Sequence, residues 1–337
     1  MPAPPPPLDT ALRLAALGWH VFPLAPDKRP LANCPTCRER AGRPPHPIEA
    51  CLCLPQGGWC HGVRAATTDP ATLTHWWTYQ PAAAIGIAAG PSRLVLIDID
   101  THGKPLPAHL ATGLLPGIDL ACEPINPELW NHSGHRDGRD TLRLLAQLRG
   151  GPRPWPTDPA HQPVTAHTPS GGRHLWYRAP AGQLHQALGA LAWQVDIKAG
   201  WSYGLAPGTT TANGTYQHTG GDPAHPGDPP PWLTREITRV ATPKPAPPAP
   251  NRVTAAPTNA TGPANYLRTV IDRGAAAFAT AGDGRKQSLA ALAYKAGGYL
   301  QWSGIPETEV IDRLISAGTN SGLSYRTAER TARRSLD

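Results

Sequence analysis

Two aspartates one residue apart close the apolar stretch "LVLIDID", Leu94 to Asp100. In an extended strand alternate residues share a face. Asp98 and Asp100 therefore project together, about 6.6 Å apart along the chain, while Ile97 and Ile99 face the other way. Carboxylates so placed repel by roughly 2–3 kcal/mol at an effective dielectric near 20, a cost that a bridging cation removes. Mg²⁺ or Mn²⁺, which take oxygen ligands, suit that position. The same pair also fits the exposed end of a strand entering a turn, so partners elsewhere in the chain must decide.

Two later segments supply such partners. In "TPSGGRH", Thr168 to His174, a small-residue turn leads into a strand. The backbone N–H groups around Gly171 and Gly172, with Ser170, Arg173 and His174, can hold a triphosphate. Taken alone, the segment reads rather as a hairpin turn with its histidine packed beside Trp176. In "VDIKAG" the two-residue period puts Asp196 and Lys198 on one face, a third carboxylate ligand and a phosphate contact. Alone they read as a solvated strand pair; three such signals in this order seldom coincide by chance.

Five of the six cysteines, Cys34, Cys37, Cys51, Cys53 and Cys60, crowd into one segment. "CPTC" is a Cys-x-x-Cys knuckle, and "CLC" with "WCH" bring more soft ligands after a loop. Four such groups enclose Zn²⁺ as a structural site. With His46 and His61 there are seven candidates for four places. Cys34, Cys37, Cys53 and Cys60 are preferred because one cysteine of a C-x-C suffices for a single ion, leaving Cys51, His46 and His61 as alternates. A second metal or redox-active thiols remain as other readings. Cys122, standing apart, is expected to be a free buried thiol.

The elements that must position these groups follow from periodicity and turn chemistry. A first helix is expected from Asp9 as N-cap to just before Gly18, then a strand at "WHVFPL" and a turn at "DKRP". Asp69 and Pro70 open a second helix that buries Leu73, Trp76 and Trp77. "AAIGIAAG" and "LVLIDID" read as strands paired in a central sheet, with further strands at "RHLWYRA", "WQVDIKAG" and "YGLAPGT". Residues 101–166, rich in Pro, Gly and His, read as an insertion with one helix at "DTLRLLAQLRG". Proline dominates from about Asp222 to Pro263, which places a semi-rigid linker at 236–263. Residues 264–337 read as a small all-α bundle of three or four helices. In the last of these Arg326, Arg330, Arg333 and Arg334 form a basic stripe suited to a phosphate backbone, or simply a solvated face with Glu329 paired to Arg333.

The 337 residues allow one large domain or two of ordinary size, and the net charge of +7 permits a polyanionic partner without identifying one. The opening "MPAPPPPLD" lacks the basic and apolar regions of a secretory signal. No stretch approaches the eighteen or so apolar residues of a membrane span. The expectation is a soluble, cytoplasmic chain with no membrane partner.

Over residues 8–235 these motifs resemble the bifunctional primase-polymerase domains of the archaeo-eukaryotic primase superfamily, found in plasmid, phage and integrated-element replication proteins. That family carries an apolar strand ending in D-x-D or D-x-E, a small-x-His motif, and a strand with a third Asp. Asp98 and Asp100, Gly172-Arg173-His174 and Asp196 match it here. "GWHVFPLAPDKRP" is similar to the family's opening and "ATTDPATLTHWW" with "IGIAAG" to its second segment; "VDIKAGWSYGLAPGT" is similar to the strand pair carrying the third Asp, although Trp201-Ser202 stand where the family has a small residue and Gly. Residues 284–336 resemble the small helical domain that often follows.

The resemblance implies a primase-polymerase catalytic domain at 8–235, which the strand and helix signals make α+β with a mixed central sheet and which contains the zinc-binding segment read above from the cysteines at 34–61. It implies nucleotidyl transfer with two Mg²⁺ or Mn²⁺ ions on Asp98, Asp100 and Asp196, and a triphosphate gripped by His174, Arg173, Ser170 and Lys198, with Lys28 and Arg64 as further phosphate or template contacts. The implied partners are single-stranded DNA and dNTP or NTP. No G-x-x-x-x-G-K-S/T loop occurs, so unwinding is expected from a separate replicative helicase. Two alternatives are a non-catalytic replication initiator or single-strand DNA-binding protein, and a D-x-D metal-dependent glycosyltransferase, which needs neither the cysteine cluster nor a third Asp strand.

Overall fold

The computed structural model describes residues 6–34, 37, 46, 48–101, 104–151, 155–156, 158–243, 262–279 and 285–336. It divides into two compact units, Met1–Pro243 and Lys244–Asp337. Most of the expected linker, 244–261, lies outside the described residues, as do the two central residues of the Cys-x-x-Cys knuckle.

In the first unit the elements run α1 (Pro7–Ala16), β1 (Val21–Leu24), α2 (Pro70–Tyr79), β2 (Ala84–Ala88), β3 (Leu94–Ile99), α3 (Leu110–Gly113), α4 (Gly138–Leu148), β4 (Val164–His167), β5 (Arg173–Arg178), β6 (Ala187–Ala192), β7 (Val195–Lys198), β8 (Tyr203–Leu205), β9 (Thr210–Thr211), β10 (Gly214–Thr215), β11 (Gln217–Gly220) and α5 (Pro231–Ala241). Helix α2 starts as expected: Asp69 Oδ2 accepts from the Thr72 N–H at 2.8 Å and from its hydroxyl at 2.6 Å. Helix α1 starts earlier than expected. Pro6 is its N-cap, Pro7 takes the first helical position where no N–H is needed, and Asp9 lies inside the first turn.

The main sheet has six strands in the order β11-β4-β5-β3-β7-β6, and a second has three, β1-β2-β8. The α+β class holds, but the central sheet is not mixed: every described pairing is antiparallel. The cause is local. β4–β5 and β6–β7 are hairpins, and β3 slots between them antiparallel to both neighbours. The expected pairing of "AAIGIAAG" with "LVLIDID" also fails, because β2 joins the small sheet beside β1 and β8.

One face of the main sheet, carrying Val95, Ile97, Ile99, Leu175, Tyr177, Val195 and Ile197, packs against α4, α5 and the 104–151 segment. The other, with Leu94, Leu96, Trp176, Val164 and Ala166, packs on β1, β2, α1 and α2. The 101–166 region is therefore no rider on the fold. Its Leu114, Leu115, Leu142 and Leu145 are fully buried and complete one of the two cores.

Helix α5 crosses the expected start of the linker at 236. Ile237 is fully buried, and Glu236 binds Arg149 and Arg239 at 2.6 Å each. In the second unit α6 (Gly262–Ala279), α7 (Arg285–Ser303), α8 (Glu307–Asn320) and α9 (Tyr325–Leu336) enclose a core of Leu267, Leu289, Val310, Leu314 and Ala328.

The placement of α5 has a measurable consequence in the full chain. Ile237→Ala is expected to cost about 2–5 kcal/mol in urea unfolding, as for other large-to-small core changes. A change within about 0.5 kcal/mol, usual for exposed positions, would return residue 237 to a linker.

Candidate functional site

The register of β3 with its neighbours sets the site. Asp98 is level with His174 on β5 and with Asp196 on β7, and His174 is level with Ala166 on β4. One transverse row of the sheet thus reads Ala166, His174, Asp98, Asp196, with about 4.8 Å between strands. All four point to the face of Leu96 and Trp176, where the apolar row of the inter-sheet core gives way to polar groups.

Backbone contacts pin the ends of these strands. Asp100 N–H donates to the Gln194 carbonyl in the β6–β7 turn at 2.9 Å, and Gly138 N–H at the start of α4 donates to the Asp100 carbonyl at 3.0 Å. The Ser170-Gly171-Gly172 turn lies against the end of β3. Gly171 adopts φ +87°, and a Cβ on Gly172 would collide with the Ile99 carbonyl, so the glycines let the turn approach. Thr101 Oγ1 donates to the Ser170 carbonyl at 2.9 Å.

A cavity of about 330 Å³ opens over this row, lined among others by Lys28, Asp98, Asp100, Ser170, His174 and Lys198. His174 Nε2 lies 3.4 Å from Asp98 Oδ1. Its Nδ1 is buried with no hydrogen-bond partner among the described residues. The Lys198 ammonium sits 2.8 Å from Asp196 Oδ2 and 4.0 Å from Asp98 Oδ2. A side-chain cation thus stands between the two carboxylates, and a hard divalent cation fits the same oxygen set. Gly189 N–H donates to Asp196 Oδ1 at 2.7 Å, fixing that carboxylate from its far side. Burial pushes the Asp98 carboxyl up, but His174, Lys198 and Lys28 outweigh it and hold it below the ordinary carboxylate range.

Not every expected phosphate contact joins the cavity. Arg173 precedes His174 in β5, so it faces the opposite side of the sheet, where its guanidinium lies 5.0 Å from the Trp155 ring, which also carries Arg143 at 5.0 Å. Arg64 stacks on Trp201 at 4.4 Å, outside the cavity. Lys28 does reach it, from a turn in which the residue itself has φ +69°, with its ammonium 5.6 Å over the Tyr216 ring. Sequence reasoning missed Thr168, Gln186, Tyr203 and Tyr216, which also line the cavity. Thr168 opens the Thr168–His174 turn already singled out, and the other three come from loops and short strands without a motif to mark them.

The cysteine segment gathers as a cluster. The Sγ atoms of Cys34, Cys37, Cys53 and Cys60 all lie within 4.8 Å of one another. Cys34 and Cys53 Sγ are 3.3 Å apart and Cys37 and Cys53 Sγ 3.5 Å. The backbone N–H of Cys37, then the Cys53 thiol, lower the Cys34 thiol to about 6, while burial pushes Cys37 up. Thiols in such contact cannot all ionise without a cation among them, and four thiolates around one centre suit Zn²⁺. Trp76 of α2 anchors the segment, its indole N–H donating to the Gly57 carbonyl at 2.8 Å. Cys122 is exposed rather than buried, its thiol 3.7 Å from Asp119 Oδ2.

The Asp98 environment predicts a titration. Because the folded value is depressed, pairing with its neighbours stabilises the fold above the ordinary carboxylate range, and that contribution is lost as pH falls through the depressed value. In metal-free protein, ¹³C NMR should place the Asp98 midpoint below that of an ordinary aspartate, and His174→Gln should move it upward. An unchanged midpoint in the variant would show that the 3.4 Å pair carries no weight.

No curated protein matches the chain. The family described as bifunctional DNA primase/polymerase, N-terminal, matches residues 11–232. That span holds the carboxylate row, the Gly-Gly turn, the cysteine cluster and all three described sheets, and it covers more than half of the chain. The chain belongs to the bifunctional DNA primase/polymerase family.

Proposed function

We propose that this protein is a template-directed nucleotidyltransferase that synthesises and extends primers on single-stranded DNA, in the replication of a plasmid or phage. Membership of a family of DNA primase/polymerases supports the general role. The observation that carries the finer reading is the row His174, Asp98, Asp196, with the Lys198 ammonium between the carboxylates at the wall of the cavity.

Asp98, Asp100 and Asp196 would hold two Mg²⁺ or Mn²⁺ ions, which when bound activate the primer 3′-hydroxyl and neutralise the leaving pyrophosphate. Asp196 is oriented for this by Gly189, and Asp98 is kept ionised by His174. Lys198 and Lys28 supply ammonium groups and Ser170 a hydroxyl to the triphosphate of a dNTP or NTP in the same cavity. His174 offers its unpartnered Nδ1 to the nucleotide, and Tyr216, with its ring centre 5.0 Å from that of His174, limits how the imidazole turns. Arg173 leaves this set, since its strand position turns it to the other face. A third Asp on an adjacent strand supports this reading over a D-x-D glycosyltransferase.

The thiolate cluster would be a structural Zn²⁺ site that braces the segment between β1 and α2. In the second unit Arg326, Arg330, Arg333 and Arg334 are exposed along α9, with Arg333 bound to Glu329 at 3.4 Å. We assign this stripe to the DNA backbone, which it would meet as a salt-sensitive contact. Strand separation falls to a separate helicase.

The test supplies unprimed single-stranded DNA, labelled nucleotides and Mg²⁺ or Mn²⁺. Wild type should make template-length products, and Asp98→Asn and Asp196→Asn should each lower the rate at least about 100-fold, in line with losing a transition-state electrostatic group. Arg173→Ala should lose far less. Full activity in either aspartate variant removes the site, and no incorporation with any metal removes the enzyme reading.

A further inference from the structure

We propose that the cysteine segment holds two metal ions of the zinc class, not one, in a dinuclear cluster that shares the Cys37 thiolate. Besides the four thiols already described, a second set converges on its own centre: the ligand atoms of Cys37, His46, Cys51 and His61 lie within 4.8 Å of one another. Cys37 is common to both sets. Its Sγ is 3.5 Å from Cys53 Sγ of the first set and 3.6 Å from Cys51 Sγ of the second.

These spacings are close to what metal ligation sets. With Zn–S bonds of about 2.3 Å, two sulfurs on one tetrahedral ion stand about 3.8 Å apart. The ligand arithmetic also closes. Two tetrahedral ions that share one thiolate need seven ligand atoms, and the two sets contain seven residues. A single ion uses four and leaves a buried thiol, Cys51, and two histidines without a purpose.

The sequence pattern follows the same division. In Cys51-x-Cys53 the first cysteine falls in the second set and the other in the first. In Cys60-His61 the cysteine goes to the first set and the histidine to the second. Each short motif straddles the two centres, which accounts for a C-x-C and a C-H that one ion does not require.

His61 gives an independent pointer. Its Nε2 is buried with no hydrogen-bond partner among the described residues, an expensive state for a ring nitrogen unless a ligand meets it. The residue is also held in place from behind. Its N–H donates to Asn33 Oδ1 at 2.8 Å, and the Asn33 amide donates to the Cys37 carbonyl at 3.2 Å. The Asn33 side chain therefore ties the bridging cysteine to the Cys60-His61 turn. The His46 and His61 rings meet edge to face with centres 5.0 Å apart, compatible with two imidazoles on one ion. The first ion rests on the structural zinc reading above; the second rests on this set.

Metal content of the purified full-length chain tests the proposal. Two zinc ions per chain are expected, falling to one in His46→Ala and in His61→Ala. Replacement by ¹¹³Cd should give two resonances, each split by the other through the shared sulfur, and this measurement needs no variant. One ion per chain, with the same content in both histidine variants, overturns the second site and leaves the single-zinc reading standing. No bound metal overturns both.

Discussion

Asp98 is level with His174 on one neighbouring strand and with Asp196 on the other, and the rest of the first unit is built around this register. A slip of one residue would send every side chain of β3 to the opposite face, exchanging Asp98 for Ile97 in the row. The apolar residues on both faces forbid it. Val95, Ile97 and Ile99 are wholly buried against α4 and the 104–151 segment, and Leu94 and Leu96 against the smaller sheet. The two cores thus fix the polar row by fixing the pleat.

The polar end of the row shows how such a charge set can persist in a folded chain. Two carboxylates on adjacent strands repel, and burial adds to the cost. Here Lys198 sits between them, His174 faces Asp98, and the Gly189 N–H donates to Asp196 Oδ1. For Asp98 the cations outweigh burial and hold its carboxyl below the ordinary range; in the proposed function Lys198 is the cation that a divalent ion would release toward phosphate.

Much of this was legible in residue spacing. The two-residue period put Asp98 with Asp100 and Asp196 with Lys198, and the Asp69-Pro70 start of α2 was readable because a cap is a local interaction. Sheet membership was not legible, since the register of β3 depends on strands some eighty to a hundred residues later. Strand β6, "ALGALA", was missed because Ala and Gly carry little strand preference. The 101–166 region looked peripheral for its Pro and Gly, yet Leu114, Leu115, Leu142 and Leu145 are core. The placement of Arg173 was within reach of the sequence: neighbours in a strand face opposite ways, so Arg173 and His174 could never share the cavity. Helix α5 hid behind the prolines at 229–231, the last of which opens it.

The central claim is that this register builds a divalent-cation site between β3 and β7. Anomalous diffraction from crystals soaked with Mn²⁺ and a non-hydrolysable nucleoside triphosphate tests it most directly. The account predicts manganese peaks at the Asp98 and Asp196 carboxylates, with the Lys198 ammonium moved off them toward the triphosphate. Manganese absent from that position, with Lys198 still bound to Asp196, would contradict it.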